Sequence, residues 1–252
     1  MKVASLAGLL LFMVTALAIG TRLIFLHLRT RKLPELLMAL ALLCTGFLAY
    51  AVGTVGKLVG SASPETVATL VLVGLGIEYV GVISMTLFAW KVFHSDDRHG
   101  QVVAAAVTFA MALSLFGEVA TEEYMRYGDT LRAQGPWIPL GLAARSLAPA
   151  WLAFECLRFH GKLRRRARIG LAEPLVVHRV GLWGIAMAAS ALAYVVPIAH
   201  RLVYGTGLRE HVWALSIVSL LAMVAAICLG IAFFPPKKYR SRASIASIPP
   251  SS

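Results

Sequence analysis

Four ionisable side chains stand inside long apolar stretches of this sequence, Arg22, Glu78, Arg145 and Glu155, and Glu118 lies near the end of another. A charge in hydrocarbon is costly, so such groups face the interior of a helix bundle and take a partner. Holding a polar ligand, passing an ion and relaying a proton all need that arrangement. An ion pair that only keeps helices in register needs it too. Glu78 shares a helical stripe with Gly74, Gly81 and Met85. Small residues mark the face on which membrane helices approach closely, so the Glu78 carboxylate is expected to point inward. Arg145 enters from the same side of the bilayer, within reach of Glu78 or of Glu118. Arg22 and Glu155 each stand five residues before a histidine, His27 and His160, which ends an apolar stretch. They are expected to pair in a second polar layer. Tyr50, Tyr79 and Tyr194, with Trp183 and Pro197, are candidates to line a central cavity. Pro149 and Pro197 are candidates to bend their helices. Trp137, Trp151 and Trp213 read as interface or lipid-facing anchors.

The elements that must position these groups follow from composition. Of 252 residues, 59% are hydrophobic and 14% charged, the mean hydropathy is +0.77, and Asn is absent. A soluble domain carries about 25% charged residues, so much of this surface faces lipid. Crossing about 30 Å of hydrocarbon takes roughly 20 helical residues. Seven stretches qualify, at approximately 3–28, 35–58, 66–93, 100–119, 136–159, 175–202 and 210–235. Pro, Gly and charged residues separate them, and Pro235-Pro236 stops the last. The expected fold is an all-α, polytopic, seven-transmembrane-helix bundle over 1–236, followed by a disordered basic tail at 237–252.

The net charge of +12 reads as membrane orientation rather than nucleic-acid binding. Sixteen of the 24 Lys and Arg fall on one side, including Arg29, Arg31, Lys32, Arg164, Arg165, Arg166, Arg168 and the tail, against six on the other. The richer side is expected in the cytoplasm, which puts the N-terminus out, the C-terminus in, and the chain in a plasma or inner membrane. Met1-Lys2, the apolar run and Ala16-Leu17-Ala18 have the form of a cleavable signal. Cleavage would invert every later loop against the charge count, so the first helix is expected to stay. Arg164, Arg165, Arg166 and Arg168 are candidates to contact anionic lipid or a cytoplasmic signalling partner. Arg240 to Ser244 would suit a basophilic kinase, although a solvated stretch near lipid is the simpler reading. Gly56 and Gly60 form a GxxxG, weak evidence for dimerisation in so glycine-rich a chain; the oligomeric state stays open.

Leu48-Ala49-Tyr50-Ala51-Val52 reads like Leu192-Ala193-Tyr194-Val195-Val196, and Lys57-Leu58-Val59 matches Arg201-Leu202-Val203 at the same offset. This suggests a 3+1+3 internal repeat, with the fourth helix joining two same-sense triplets, as occurs in some transporters. In topology alone, the layout resembles heptahelical families such as microbial rhodopsins and SWEET-type sugar carriers. No motif of either family is matched. A retinal Schiff base needs a lysine in the last helix, and 210–235 contains none. There is no Walker A loop and no Ser/His/Asp arrangement, so neither enzymatic activity nor a cofactor is expected. Cys44, Cys156 and Cys228 have no metal-ligand spacing. His200 and His211 lie near Glu118, Glu122 and Glu123, which permits a metal or pH sensor. No HxxxH or HExxH spacing supports one, and no metal site is expected. His94 and His99 bracket a turn with Asp96 and Asp97. Three functions are compatible with these residues. The first is a receptor- or sensor-like module for a small or membrane-borne ligand, the second a small-solute or ion transporter, and the third a structural or assembly subunit.

Overall fold

A computed structural model of the chain describes residues 2–59, 64–123, 135–204 and 211–235. Among them the secondary structure is helical throughout: α1 (Lys2–Thr30), α2 (Leu33–Leu43), a π-helical turn (Cys44–Leu48), α3 (Ala49–Val59), α4 (Pro64–Phe93), α5 (Arg98–Ala120), α6 (Trp137–Arg168), α7 (Pro174–Tyr204) and α8 (Val212–Phe233). With α2, the π turn and α3 forming the second span, seven segments are long and apolar enough to cross a membrane. The chain is a multi-pass membrane protein. The tail at 237–252 and Gly60 of the GxxxG pair lie outside the described residues.

Side-chain exposure has the polarity that lipid imposes. Phe109 and Phe116 on α5 are 69% and 72% exposed, whereas Glu118 on the same helix is fully buried. The interior is built from small and hydroxylated residues, among them Ala39, Ala41, Ala89, Ala148, Ala186, Ser84, Thr86 and Ser114. Such residues let helix backbones approach where the hydrophobic effect gives no net drive between helices.

The spans close into a ring. α1 packs on α2, α2 on α4, α4 on α6, α6 on α7, α7 on α8, and α8 returns to α1. The fourth span, α5, packs on α4 and α6. Since direct α4–α6 packing completes the ring, α5 lies outside it. Alternation of the spans gathers Arg29, Arg31, Lys91, Arg98, Arg158, Arg164, Arg165, Arg166 and Arg168 at one end, here the basic end. Glu65, Glu118, Glu122 and Glu123 gather at the opposite, acidic end.

Two elements differ from the sequence expectation. The second span is interrupted by the π turn, next to which α4 comes very close. A Cβ on Gly81 would lie 2.6 Å from Thr45 Cγ2 and 2.8 Å from the Thr45 amide nitrogen. The fifth span was expected to end near 159 but continues to Arg168. Lys and Arg are good helix formers, and cations in a last turn suit the helix dipole. Gly161 is too weak a breaker to stop it. The helix stops at Gly170, whose φ of +74° suits glycine. The Gly170 N–H donates to Ala167 O at 3.1 Å and the Leu171 N–H to Arg166 O at 2.9 Å, a Schellman closure.

Candidate functional site

Glu78 sits at the midpoint of α4, and Arg145 lies two turns into α6. Because α4 and α6 pack directly, the two side chains meet across that contact, with Arg145 Nη1 2.7 Å from Glu78 Oε2. The Tyr194 hydroxyl, from α7, donates to the other carboxylate oxygen at 2.8 Å. Arg145 Nε donates to the Gly141 carbonyl one turn earlier, at 3.2 Å, which fixes the guanidinium along its own helix. Arg145 is 4% exposed. Glu78 therefore holds two charge-assisted hydrogen bonds from two different spans, the kind that is short and strong in a low dielectric.

This trio borders a cavity of about 300 Å³ on the ring axis. Leu9 and Phe12 of α1, Leu42 of α2, Val82 and Met85 of α4 and Met187 of α7 supply apolar walls, and Val218 and Ala222 of α8 close it. Thr45 from the π turn, Tyr50 from α3 and Ser190 from α7 add hydroxyls beside Tyr194. Six of the seven spans contribute, and α5 does not. Pro149 and Pro197 also line the cavity, each inside a helix where its missing N–H removes a ladder hydrogen bond.

Tyr79 does not face the cavity. It turns toward α5, where its hydroxyl lies 3.0 Å from Ser114 Oγ and donates to Glu118 Oε1 at 3.2 Å. Ser114 Oγ lies 3.1 Å from the same carboxylate oxygen and 2.8 Å from the Trp137 carbonyl. Glu118 Oε2 has no hydrogen-bond partner among the described residues. The Tyr79 ring lies against Arg145, whose Cζ is 5.6 Å from the ring centroid. Tyr79 thus stands between the Glu78–Arg145 pair and Glu118. Gly141 makes room for it, since a Cβ there would overlap the Tyr79 hydroxyl and come within 2.5 Å of Ser114 Oγ.

The expected Arg22/Glu155 pair is not formed. Arg22 Nη1 donates to the Phe233 carbonyl at 2.8 Å, and its Cζ sits 5.0 Å from the Phe234 ring centroid. Its place is at the end of α8, because α1 packs on α8 and not on α6. Glu155 is met by His94, whose Nε2 lies 3.0 Å from Glu155 Oε1. The His94 ring stacks on Trp151 at 5.9 Å, and Trp151 is partly buried against the core. Trp183 lies outside the central cavity, against Phe233. Arg164, Arg165, Arg166 and Arg168 are exposed on the last turns of α6. His200 lies 3.0 Å from His211, within a cluster that includes Tyr204 and Trp213. No three His, Cys, Asp or Glu side chains are placed to hold a metal ion among the described residues.

Sequence reasoning missed Thr45, Ser190, Ser114 and His94. Ser190 and Ser114 stand four residues before Tyr194 and Glu118, one helical turn away, and that spacing was a usable signal. Thr45 owes its place to the π turn and His94 to a turn between spans, and neither leaves a periodic trace.

Outside the spans, Asp97 caps α5. The His99 backbone N–H donates to its Oδ1 at 3.0 Å, and the His99 ring nitrogen lies 2.9 Å away. Those contacts, the backbone one foremost, hold the Asp97 carboxyl below the usual carboxylate range. A carboxyl lowered on folding contributes stability above its unfolded pKa and loses it as pH falls through the folded value. The stability difference between wild type and Asp97→Ala should therefore be constant above about pH 5 and shrink below about pH 4. Thermal unfolding of both proteins across that range checks it.

The chain matches no protein-family model, no curated protein and no solved structure. Its function has to be argued from the cavity and from the helices that reach it.

Proposed function

We propose that this chain is a receptor- or sensor-like membrane module with its basic end in the cytoplasm. Its ligand is a small, mainly apolar molecule carrying one polar head. A cavity of about 300 Å³ is at the small end of ligand sites. Its walls are aliphatic and aromatic, and its polar groups cluster at Glu78, Arg145 and Tyr194. A head with both donor and acceptor character satisfies the carboxylate and the guanidinium together, so a zwitterionic or amide-like group fits best.

The observation that carries the sensor reading is the continuity of α6. One helix bears Arg145 in the cavity and Arg164, Arg165, Arg166 and Arg168 at its exposed end. Pro149 lies between them and has no N–H to close the turn on the Arg145 carbonyl. A ligand that pulls Arg145 away from Glu78 bends α6 differently at Pro149, and the helix beyond carries that change over roughly 22 Å to Arg164. The basic end then meets a cytoplasmic partner or anionic lipid differently in the two states.

The test uses a spin-label pair at Arg29 and Arg165 and the neutral variant Glu78→Gln, in nanodiscs. Glu78→Gln should stay folded, lose any small molecule retained in the native mass spectrum about tenfold, and shift the label distance. If only its thermal stability falls, with retention and distance unchanged, the third reading applies and the inner charges serve structure alone.

One observation favours a carrier as the second reading. The ring order, spans one, two, three, five, six and seven with the fourth outside, is the order two parallel triplets joined by a linker helix would take. The likeness of the Tyr50 and Tyr194 segments points the same way, as both tyrosines line one cavity. A carrier predicts solute uptake into proteoliposomes that Glu78→Gln abolishes, whereas a sensor predicts no uptake by either protein.

A further inference from the structure

A second cavity, of about 390 Å³, lies at the basic end where α1, α7 and α8 meet. It forms because α8 ends at Phe233 while α1 runs on to Thr30 and α7 begins well outside, at Pro174. Leu23, Leu26, Val176, Val180 and Trp183 make apolar walls, and Arg22 and Arg179 reach in. No acidic side chain lines it among the described residues. Residues 236–252, which come after α8, contain no Asp or Glu.

The two arginines are held differently. Arg22 closes the end of α8 by donating to the Phe233 carbonyl, a favourable place for a cation. Arg179 is half-buried, its Nε is shut off from solvent, and that nitrogen has no acceptor among the described residues. A half-buried guanidinium that lines a groove with no counter-charge among the described residues calls for an anion. The level matters too: the site is at the end of a membrane span, where headgroups lie. Leu26 and Val176 on its rim are 42% and 40% exposed, so an apolar track leads from the arginines to the lipid.

We infer that this groove is a binding site for an anionic phospholipid, its phosphate between Arg22 and Arg179 and an acyl chain along Leu26 and Val176. Basic pockets between spans are a recurrent way to hold such headgroups, and the guanidinium fork suits two phosphate oxygens at once. A free phosphate would satisfy the arginines but leave the apolar rim uncovered. The site is separate from the central cavity, and its occupancy does not depend on what binds there.

Native mass spectrometry of the protein from nanodiscs of phosphatidylcholine doped with phosphatidylglycerol tests this. Wild type should retain phosphatidylglycerol in preference to phosphatidylcholine. Arg179→Gln should lower that preference about tenfold. Leu26→Trp, which fills the groove and leaves both arginines, should lower it similarly and keeps the test open if Arg179→Gln folds poorly. Arg98→Gln, on the exposed start of α5, should change it little. Equal retention of the two lipids by wild type, or unchanged preference in both groove variants, overturns the site. In lipid-free detergent, inorganic phosphate should not raise the unfolding temperature. A rise that Arg179→Gln abolishes would assign the groove to a soluble anion and overturn the lipid.

Discussion

Replacing Arg145 with leucine is expected to cost about 3–5 kcal/mol, the largest single loss in the bundle. The reason lies in what remains. Glu78 keeps the Tyr194 hydroxyl at 2.8 Å but loses the guanidinium at 2.7 Å, so a carboxylate in a low-dielectric interior is left without its counter-charge. Arg145→Lys keeps the charge but not the fork that joins Glu78 Oε2 to the Gly141 carbonyl, and should fall in between. The double variant Arg145→Leu/Glu78→Leu removes both charges at once. It should be clearly more stable than Arg145→Leu alone, since the cost of a broken buried pair is the stranded ion and not the lost attraction. Reversible unfolding in mixed micelles gives all four corners of the cycle. Additive losses, with the double variant the least stable, would mean that the two side chains act independently.

That cycle bears on how much of the molecule could be read in advance. The seven spans were legible because lipid imposes a length and a composition, and each of those is written along the chain itself. Glu78 facing inward was legible too, because Gly74 and Gly81 repeat on its helical stripe and Gly81 does meet the second span closely. The pairing of charges was legible only where depth and direct helix contact coincide. Glu78 and Arg145 satisfy both. Arg22 and Glu155 share a depth but sit on α1 and α6, which the ring order separates. Depth is a property of one helix, whereas adjacency belongs to the whole bundle, and one sequence states only the first. The π turn at Cys44–Leu48 was hidden for a related reason. One residue more in a turn leaves an apolar segment apolar, yet it rotates α3 relative to α2 and changes which side chains, Tyr50 among them, reach the cavity. The reach of α6 to Arg168 was hidden because Lys and Arg favour helix and mark a span's end equally well.

The same adjacency makes Gly141 a sensitive small residue near Glu118. Gly141→Ala normally favours a helix by about 1 kcal/mol. Here the new methyl would occupy the space of the Tyr79 hydroxyl and lie 2.5 Å from Ser114 Oγ. Both groups would have to move, and both approach Glu118 Oε1, at 3.2 and 3.1 Å. The substitution therefore combines overpacking, about 1–3 kcal/mol, with a fully buried carboxyl losing its donors, a further 1–3 kcal/mol or so. A net loss of about 3 kcal/mol is expected. The sign should reverse in another background. In Tyr79→Phe/Ser114→Ala both hydroxyls are gone, so the methyl meets the residue 79 ring at an ordinary contact of 3.4 Å and Glu118 has no donors left to lose. Adding Gly141→Ala there should be neutral or stabilising, although that background starts less stable than wild type. Thermal unfolding of the two parents and their two Gly141→Ala partners measures the reversal directly. If Gly141→Ala is equally harmful in both backgrounds, the methyl is disturbing the α4–α6 backbone contact, and Tyr79 and Ser114 are not what the glycine accommodates.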